Sequence, residues 1–391
     1  MKSEVVDTEP SVSEKFENLL IHKERVIDML GLEIPGKVTF EESEQNNARR
    51  QLLKVEKVAI RKKEKIAVTE ADFIEQAKDR VNSLTLSEIE RALDKPGDIF
   101  AKTLGLNDHV TSLIEALSLR ASSISQLEPL VAELPWLQEE LLRMVNSPKY
   151  RRKDATGKPL LVENLRTALS FVGIENLQLI FPALVVRRSL PPITDPYPQI
   201  KKKLWRFAMQ SSLSALEVAN FIKHKKPYDI FVLTMLSHLG RCAIGRLYFR
   251  TFDQVHRQEL EHAQREKDRK GHASLMRIEP CANYFIALAE EYSDRIVSDL
   301  FDYMGFRRIN VTNPMRNVAL NEVDTAHDAP ERILVQARAY AKYRMLNDDK
   351  LITREEAVEL LSPLGFPVGA LEMLKKKELL HLPIEIEEPK R

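Results

Sequence analysis

Histidine is the residue of this chain best suited to acid–base or metal chemistry, and the sequence holds nine: 22, 109, 224, 238, 256, 262, 272, 327 and 381. Metal-assisted hydrolysis of a phosphate ester needs imidazole and carboxylate ligands converging in a fixed geometry, so that the ion acidifies a bound water and neutralises charge. Only His256 and His262 lie close together, with Glu259 between them. Steps of three and six residues spread them around a helix, so this segment reads as a solvated charged helix. His238 lies in "TMLSHLG", residues 234 to 240, at the end of the apolar run Ile230 to Leu236. By itself it reads as a partly buried imidazole hydrogen-bonded near a helix end. The two cysteines, Cys242 and Cys281, form no Cys-x-x-Cys pair, and no Gly-x-Ser-x-Gly motif occurs. Asn146-Ser147 before Pro148 is a candidate polar pair. The same residues also close a helix by bonding local backbone.

The elements that must position these residues are helices. Gly numbers only 12, the 20 Pro fall mostly between segments, and long stretches are rich in Ala, Leu, Glu, Lys, Arg and Gln. A tail, residues 1–12, is expected to be disordered. A first helix is expected from about Ser13, carrying Phe16, Leu19, Leu20, Val26, Ile27 and Leu30, and ending at Gly31 and Pro35-Gly36. Residues 41–94 contain neither Gly nor Pro. Leu52, Ala59, Ile66 and Phe73 form one seven-residue repeat there, and Leu53, Ile60, Ala67, Ile74 and Val81 another. With Lys62 and Gln76 on the seam, an amphipathic helix, or two, packed on the body fits better than a coiled coil. Thr69-x-x-Asp72 would cap a second one. Lys95-Pro96-Gly97 then breaks the chain. Two helices are expected within 123–150, ended by Asn146-Ser147-Pro148, and two more within 160–190, with a turn at Gly173. "PPITDPYPQ" (191–199) is an extended connector. One helix follows with Leu204, Phe207, Ala208, Leu213, Leu216 and Ala219 inward and Trp205 as a core anchor. The next is a buried helix over 230–240, ending at or just past Gly240 and packed on 204–219. Further helices are expected over 283–304, 331–346 and 354–377.

Charge is balanced at 59 basic and 58 acidic residues, 43% of the chain is hydrophobic and 30% charged. That gives no whole-chain drive toward nucleic acid or an anionic membrane. Basic clusters occur at Arg151-Arg152-Lys153, Arg187-Arg188, Lys201-Lys202-Lys203 and Lys223 to Lys226. They would bind nucleic acid only by converging on one surface, and nucleic acid is not expected as a partner. No run of 18 apolar residues stands out, and "MKSEVVDTEPSVSEK" lacks the apolar core of a signal peptide. The expected setting is cytoplasmic, with no membrane.

Three stretches together resemble the HDOD family, bacterial regulatory domains related to the HD phosphohydrolases. They are "LVAELPWLQEELLRMVNSPKY" (130–150), "LRTALSFVGIENLQLI" (165–180), and "LWRFAMQSSLSALEVA" (204–219) with "FVLTMLSHLGRCAIGRL" (231–247). The family's motif positions fall at Asn146, Ser147, Gly173, Trp205 and Gly240; its acidic residue before Pro135 is Leu134 here. The resemblance spans roughly residues 105 to 310. It implies that the metal ligands of an active HD enzyme would stand at Phe207, at the doublet Ser237-His238, and near Ser293. Phe and Ser do not replace an imidazole, and a register shift that keeps His238 as the His puts Leu239 at the Asp.

The expectation is therefore an all-α, HD/HDOD-like multi-helix bundle with additional N- and C-terminal helices. Its parts are a tail (1–12), an N-terminal helical region (13–100), the HDOD-like domain (101–312) and a C-terminal extension (313–391). No catalytic or metal-binding residue and no cofactor is assigned. The resemblance implies a regulatory protein with protein partners in two-component or cyclic-dinucleotide signalling. The rival readings are a divergent HD-type metal-dependent phosphohydrolase and a nucleotide, cyclic-dinucleotide or nucleic-acid binding module.

Overall fold

The computed structural model describes residues 10–32, 54–119, 122–151 and 160–384. The expected tail, the Pro35-Gly36 stop, Leu52, Leu53 and Arg152-Lys153 lie outside these residues in whole or most part. Every regular element among the described residues is helical.

The chain opens with α1 (Val12–Ile21) and α2 (Lys23–Met29). One helix was expected here. His22 adopts an extended conformation between the two, and its ring caps α2 through Glu24 N. Ser11 and Glu14 form a reciprocal capping box on α1. The long α3 (Lys54–Leu93) runs straight through Thr69–Asp72, so the chain has one helix there and no fresh cap. A short α4 (Pro96–Asp98) continues as a π-helical turn, Ile99–Thr103.

Five helices form the next layer: α5 (Asp108–Leu117), α6 (Ile124–Ala132), α7 (Pro135–Val145), α8 (Leu165–Val172) and α9 (Ile174–Ser189). Asn164 caps α8 through Thr167 N. Gly173, at φ 76°, turns the chain between α8 and α9, a left-handed conformation that favours glycine.

The central layer is α10 (Ile200–Phe221), α11 (Pro227–Leu236), α12 (Leu239–Arg265), α13 (Arg269–Leu275) and α14 (Ala282–Met304). The remainder is α15 (Thr312–Ala319), α16 (Pro330–Asp348), α17 (Arg354–Leu361) and α18 (Ala370–Lys375). The single helix expected over 354–377 is thus two, separated by a turn that contains Pro363 and Gly365, the latter at φ 58°.

One helix end differs from its sequence expectation in a way that matters. The helix beginning at Pro227 stops at Leu236, not at Gly240; α12 starts at Leu239 and continues for 27 residues through the charged segment to Arg265. Ser237 and His238 between them keep right-handed dihedrals, at φ/ψ −60/−17° and −81/−8°. The junction is a tightened turn inside a near-continuous rod. Ser237 supports it by donating from Oγ to Thr234 O at 2.6 Å.

α10 packs on α11 and α16, and α12 packs on α14. Phe16 and Leu19 of α1, Phe181 of α9, Phe207 of α10, Phe231 of α11, Tyr340 of α16 and Leu374 of α18 all belong to one hydrophobic cluster. The N- and C-terminal helices therefore complete the same core that the middle of the chain begins. A smaller cluster, Val81 with Phe252, Val255, Leu275 and Ile278, ties α3 to α12 and α13. Trp205 is only half-buried at the edge of the main cluster, so it is a partial anchor. The α11–α12 stretch is long and apolar enough by length and composition to cross a membrane, which the sequence reading did not register. The rest of the protein buries 89% of its most apolar window, as in a core helix.

Candidate functional site

The α11–α12 junction, α10, α14 and α16 enclose a cavity of about 450 Å³. Its wall contains Phe207, Ser237, His238 and Ser293, so the fold brings together all four positions that the sequence resemblance singled out.

Phe207 projects from α10 and is 2% exposed. Its ring centroid lies 4.8 Å from that of Phe16 and 4.8 Å from the His238 ring, which it meets edge-on. The phenyl group therefore occupies the flank of the imidazole, and the first helix covers its other side. Ser237 cannot turn outward as a ligand without breaking its bond to Thr234 O. Gly240 explains how Ser293 comes so near. A Cβ at residue 240 would lie 2.1 Å from Ser293 O, so the backbones of α12 and α14 touch there. Gly240 is a close-approach residue, not a helix stop.

Charged groups surround this apolar floor. Arg241 donates from both Nη atoms to the two Glu17 carboxylate oxygens, each at 2.6 Å, in a buried fork. Arg338 reaches Asp294 at 2.8 Å and also donates to Ser237 O at 3.3 Å. Lys342 stands 5.1 Å from the Phe16 ring centroid and has no oxygen acceptor among the described residues. Burial pulls its ammonium below the ordinary lysine range. Burial, reinforced by Arg338 and Arg241, holds His238 well below its ordinary value, so the imidazole is neutral. Two buried atoms in the wall have no partner: His238 Nε2 and Ser293 Oγ.

The donor set does not fit a catalytic metal. His238 is the one imidazole of the wall, Glu17 and Asp294 are both held by guanidinium groups, and the third carboxylate, Glu290, is exposed and accepts from Ser13. Among the described residues no group of three His, Cys, Asp or Glu side chains is placed to hold an ion. The arrangement instead offers hydrogen-bond donors and positive charge. Glu17, Arg241, Arg338 and Lys342 escaped the sequence reading. Arg241 carried a signal, being a charged residue amid Leu239, Gly240, Cys242, Ala243 and Ile244. The other three come from distant helices and carried none.

The remaining motif residues stand elsewhere. Asn146 ends α7 by donating from Nδ2 to Leu142 O at 2.9 Å and to Val162 O at 2.8 Å, and it accepts from Val162 N at 2.9 Å. Ser147 O accepts from Tyr150 N and Arg151 N. Both close the helix and fasten the following chain. His256 donates from Nε2 to Leu275 O, 2.7 Å away, and so joins α12 to α13, while His262 forms no pair with it. Within the basic clusters, Lys203 pairs with Asp349, Lys226 with Asp229, and Arg188 lies over Trp136. A second cavity, of about 550 Å³, borders Arg246 and His256. Arg246 is engaged there with the carbonyls of Ser189 and Thr103, closing the end of α9 onto the π-helical turn.

Residues 105–276 match the HDOD domain family. No curated protein and no solved structure matches the chain.

Proposed function

From the match of residues 105–276 to the HDOD domain family, we propose a regulatory protein of signal transduction that acts through protein contacts and performs no hydrolysis. The observation that carries this reading is the wall of the cavity. Phe207, Ser237 and Ser293 stand where the HD resemblance would put ligands, and two of the three carboxylates beside them, Glu17 and Asp294, are tied to Arg241 and Arg338. A phosphohydrolase needs an ion or base that polarises water next to the ester. A single neutral imidazole flanked by a phenyl ring supplies no such pair. Partners in two-component or cyclic-dinucleotide signalling, and a cytoplasmic setting, follow from the family's character and not from any contact within this chain.

The test pairs two measurements. Purified full-length protein is assayed for hydrolysis of phosphodiesters and nucleotides with added manganese and magnesium, and tagged protein is recovered from its native host. The reading expects no turnover and co-purification of a signalling protein that rebinds in purified form. Metal-dependent turnover that disappears in His238→Ala would overturn it.

A further inference from the structure

We propose that the cavity between α10, α14 and α16 is a binding site for a phosphate monoester, held by Lys342, His238 Nε2 and Ser293 Oγ without a metal. The proposal deepens the non-catalytic reading of the same cavity and rests on it. Residues that bear three donors line the cavity from three separate elements: His238 at the α11–α12 junction, Ser293 on α14 and Lys342 on α16. Two of them, on His238 and Ser293, are buried at 4% and 6% exposure and have no partner in the protein. A buried polar group without a partner is costly, so a cavity whose lining residues include two of them is built for something that satisfies them. A neutral imidazole can present Nε2–H, and a serine hydroxyl can rotate to donate.

Charge selects the kind of ligand. Arg241 with Glu17 and Arg338 with Asp294 form closed pairs. Lys342 feels the charge of Glu17 and of Glu290, but no carboxylate among the described residues stands in ion-pairing distance of it, and a ring lies beneath it. Glu290 is exposed at the rim and bonded to Ser13. One free cation plus two neutral donors matches an oxyanion. Three donors on three elements match the three terminal oxygens of a phosphate monoester better than the two of a carboxylate. The ester substituent follows from the remaining wall. About 450 Å³ is far more than a bare phosphate fills, and Val318, Val335, Ala339 and Leu360 make that space apolar. His238 lies inside the 105–276 match, whereas Ser293, Lys342 and these apolar residues lie outside it, so the site joins the matched segment to the helices that follow it.

The experiment is titration calorimetry of full-length protein with phenyl phosphate in EDTA at fixed ionic strength. Inorganic phosphate and benzoate serve as comparison ligands, and released phosphate is measured in the same samples. Saturable one-to-one binding of phenyl phosphate is expected, with benzoate at least about tenfold weaker. Lys342→Met should weaken phenyl phosphate by about 10- to 100-fold, the range of a lost hydrogen bond to a charged group. Ser293→Ala should weaken it about fivefold, and Lys342→Arg should keep most of the affinity. Thermal melts confirm that each variant is folded; if Lys342→Met is not, Ser293→Ala and Lys342→Arg decide. Absence of saturable binding by the wild type would overturn the site while leaving the non-enzymatic reading intact. Binding unchanged in folded Lys342→Met, or benzoate binding as tightly as phenyl phosphate, would overturn it as well. Binding accompanied by phosphate release would sustain the site and end the non-enzymatic reading on which its metal-free form depends.

Discussion

Two helix ends in this protein look alike in sequence and differ in what their polar side chains do. At Asn146-Ser147 an amphipathic helix, and at Ser237-His238 an apolar one, meets two polar residues. Asn146 uses both amide hydrogens and its oxygen on backbone groups of Leu142 and Val162. Ser237 likewise turns onto Thr234. His238 does not; its Nε2 is buried and unpaired, in a residue that lines a cavity together with Lys342. A polar residue at a helix end is thus a structural clamp when its hydrogen bonds are used up locally. It is a candidate for recognition when burial leaves one of them open.

The comparison can be broken first at the cavity's rim. Glu17→Ala leaves Arg241 buried without its carboxylate, and the expected loss is about 3–5 kcal/mol in chemical denaturation. A loss below about 1 kcal/mol would show that the fork contributes little to holding α1 on the cavity. Gly240→Ala comes next. Its methyl would meet the Ser293 carbonyl, a backbone atom that cannot rotate away. A loss of about 3 kcal/mol is expected, because overpacking forces α12 and α14 apart; a neutral melting temperature would contradict the close approach.

Asn146→Ala sharpens the contrast from the other side. It should cost about 1–3 kcal/mol by orphaning the Val162 backbone groups, while phenyl phosphate titration stays unchanged. A smaller effect comes from the protonation of His238. Its folded pKa lies below the ordinary 6.5 because burial disfavours the charged ring. Above pH 6.5 the ring is neutral in both states and its contribution is fully present. Below pH 6.5 the unfolded chain takes up a proton that the folded chain refuses, so stability falls, by at most about 1.4 kcal/mol per pH unit. Denaturation at pH 7.0 and 5.5 should show this slope in the wild type and a shallower one in His238→Leu. Equal slopes would mean that the ring is not buried in solution.

The all-α class and the turn at Gly173 follow from local chemistry, which is why they are readable from composition and spacing. Gly240 misled for a physical reason. Glycine after an apolar run usually marks a left-handed helix stop, but here it allows two backbones to touch, and only the partner helix makes that visible. The charged stretch after Asp253 is rich in helix formers, and α12 simply continues through it. The cavity's charges had no local signature at all. Arg241 and Glu17 are 224 residues apart, and Arg338 reaches Ser237 across 101. Half-burial of Trp205 is likewise a tertiary outcome, set by where α10 meets solvent.

The most direct measurement is the transition-metal content of the purified full-length protein, read beside its phosphodiesterase activity, in the wild type and in His238→Ala. A wall made of Phe207, Ser237, His238 and Ser293 predicts well under one ion per chain and no metal-dependent turnover in either protein. About one or two tightly held ions per wild-type chain, lost together with measurable hydrolysis in His238→Ala, would contradict it.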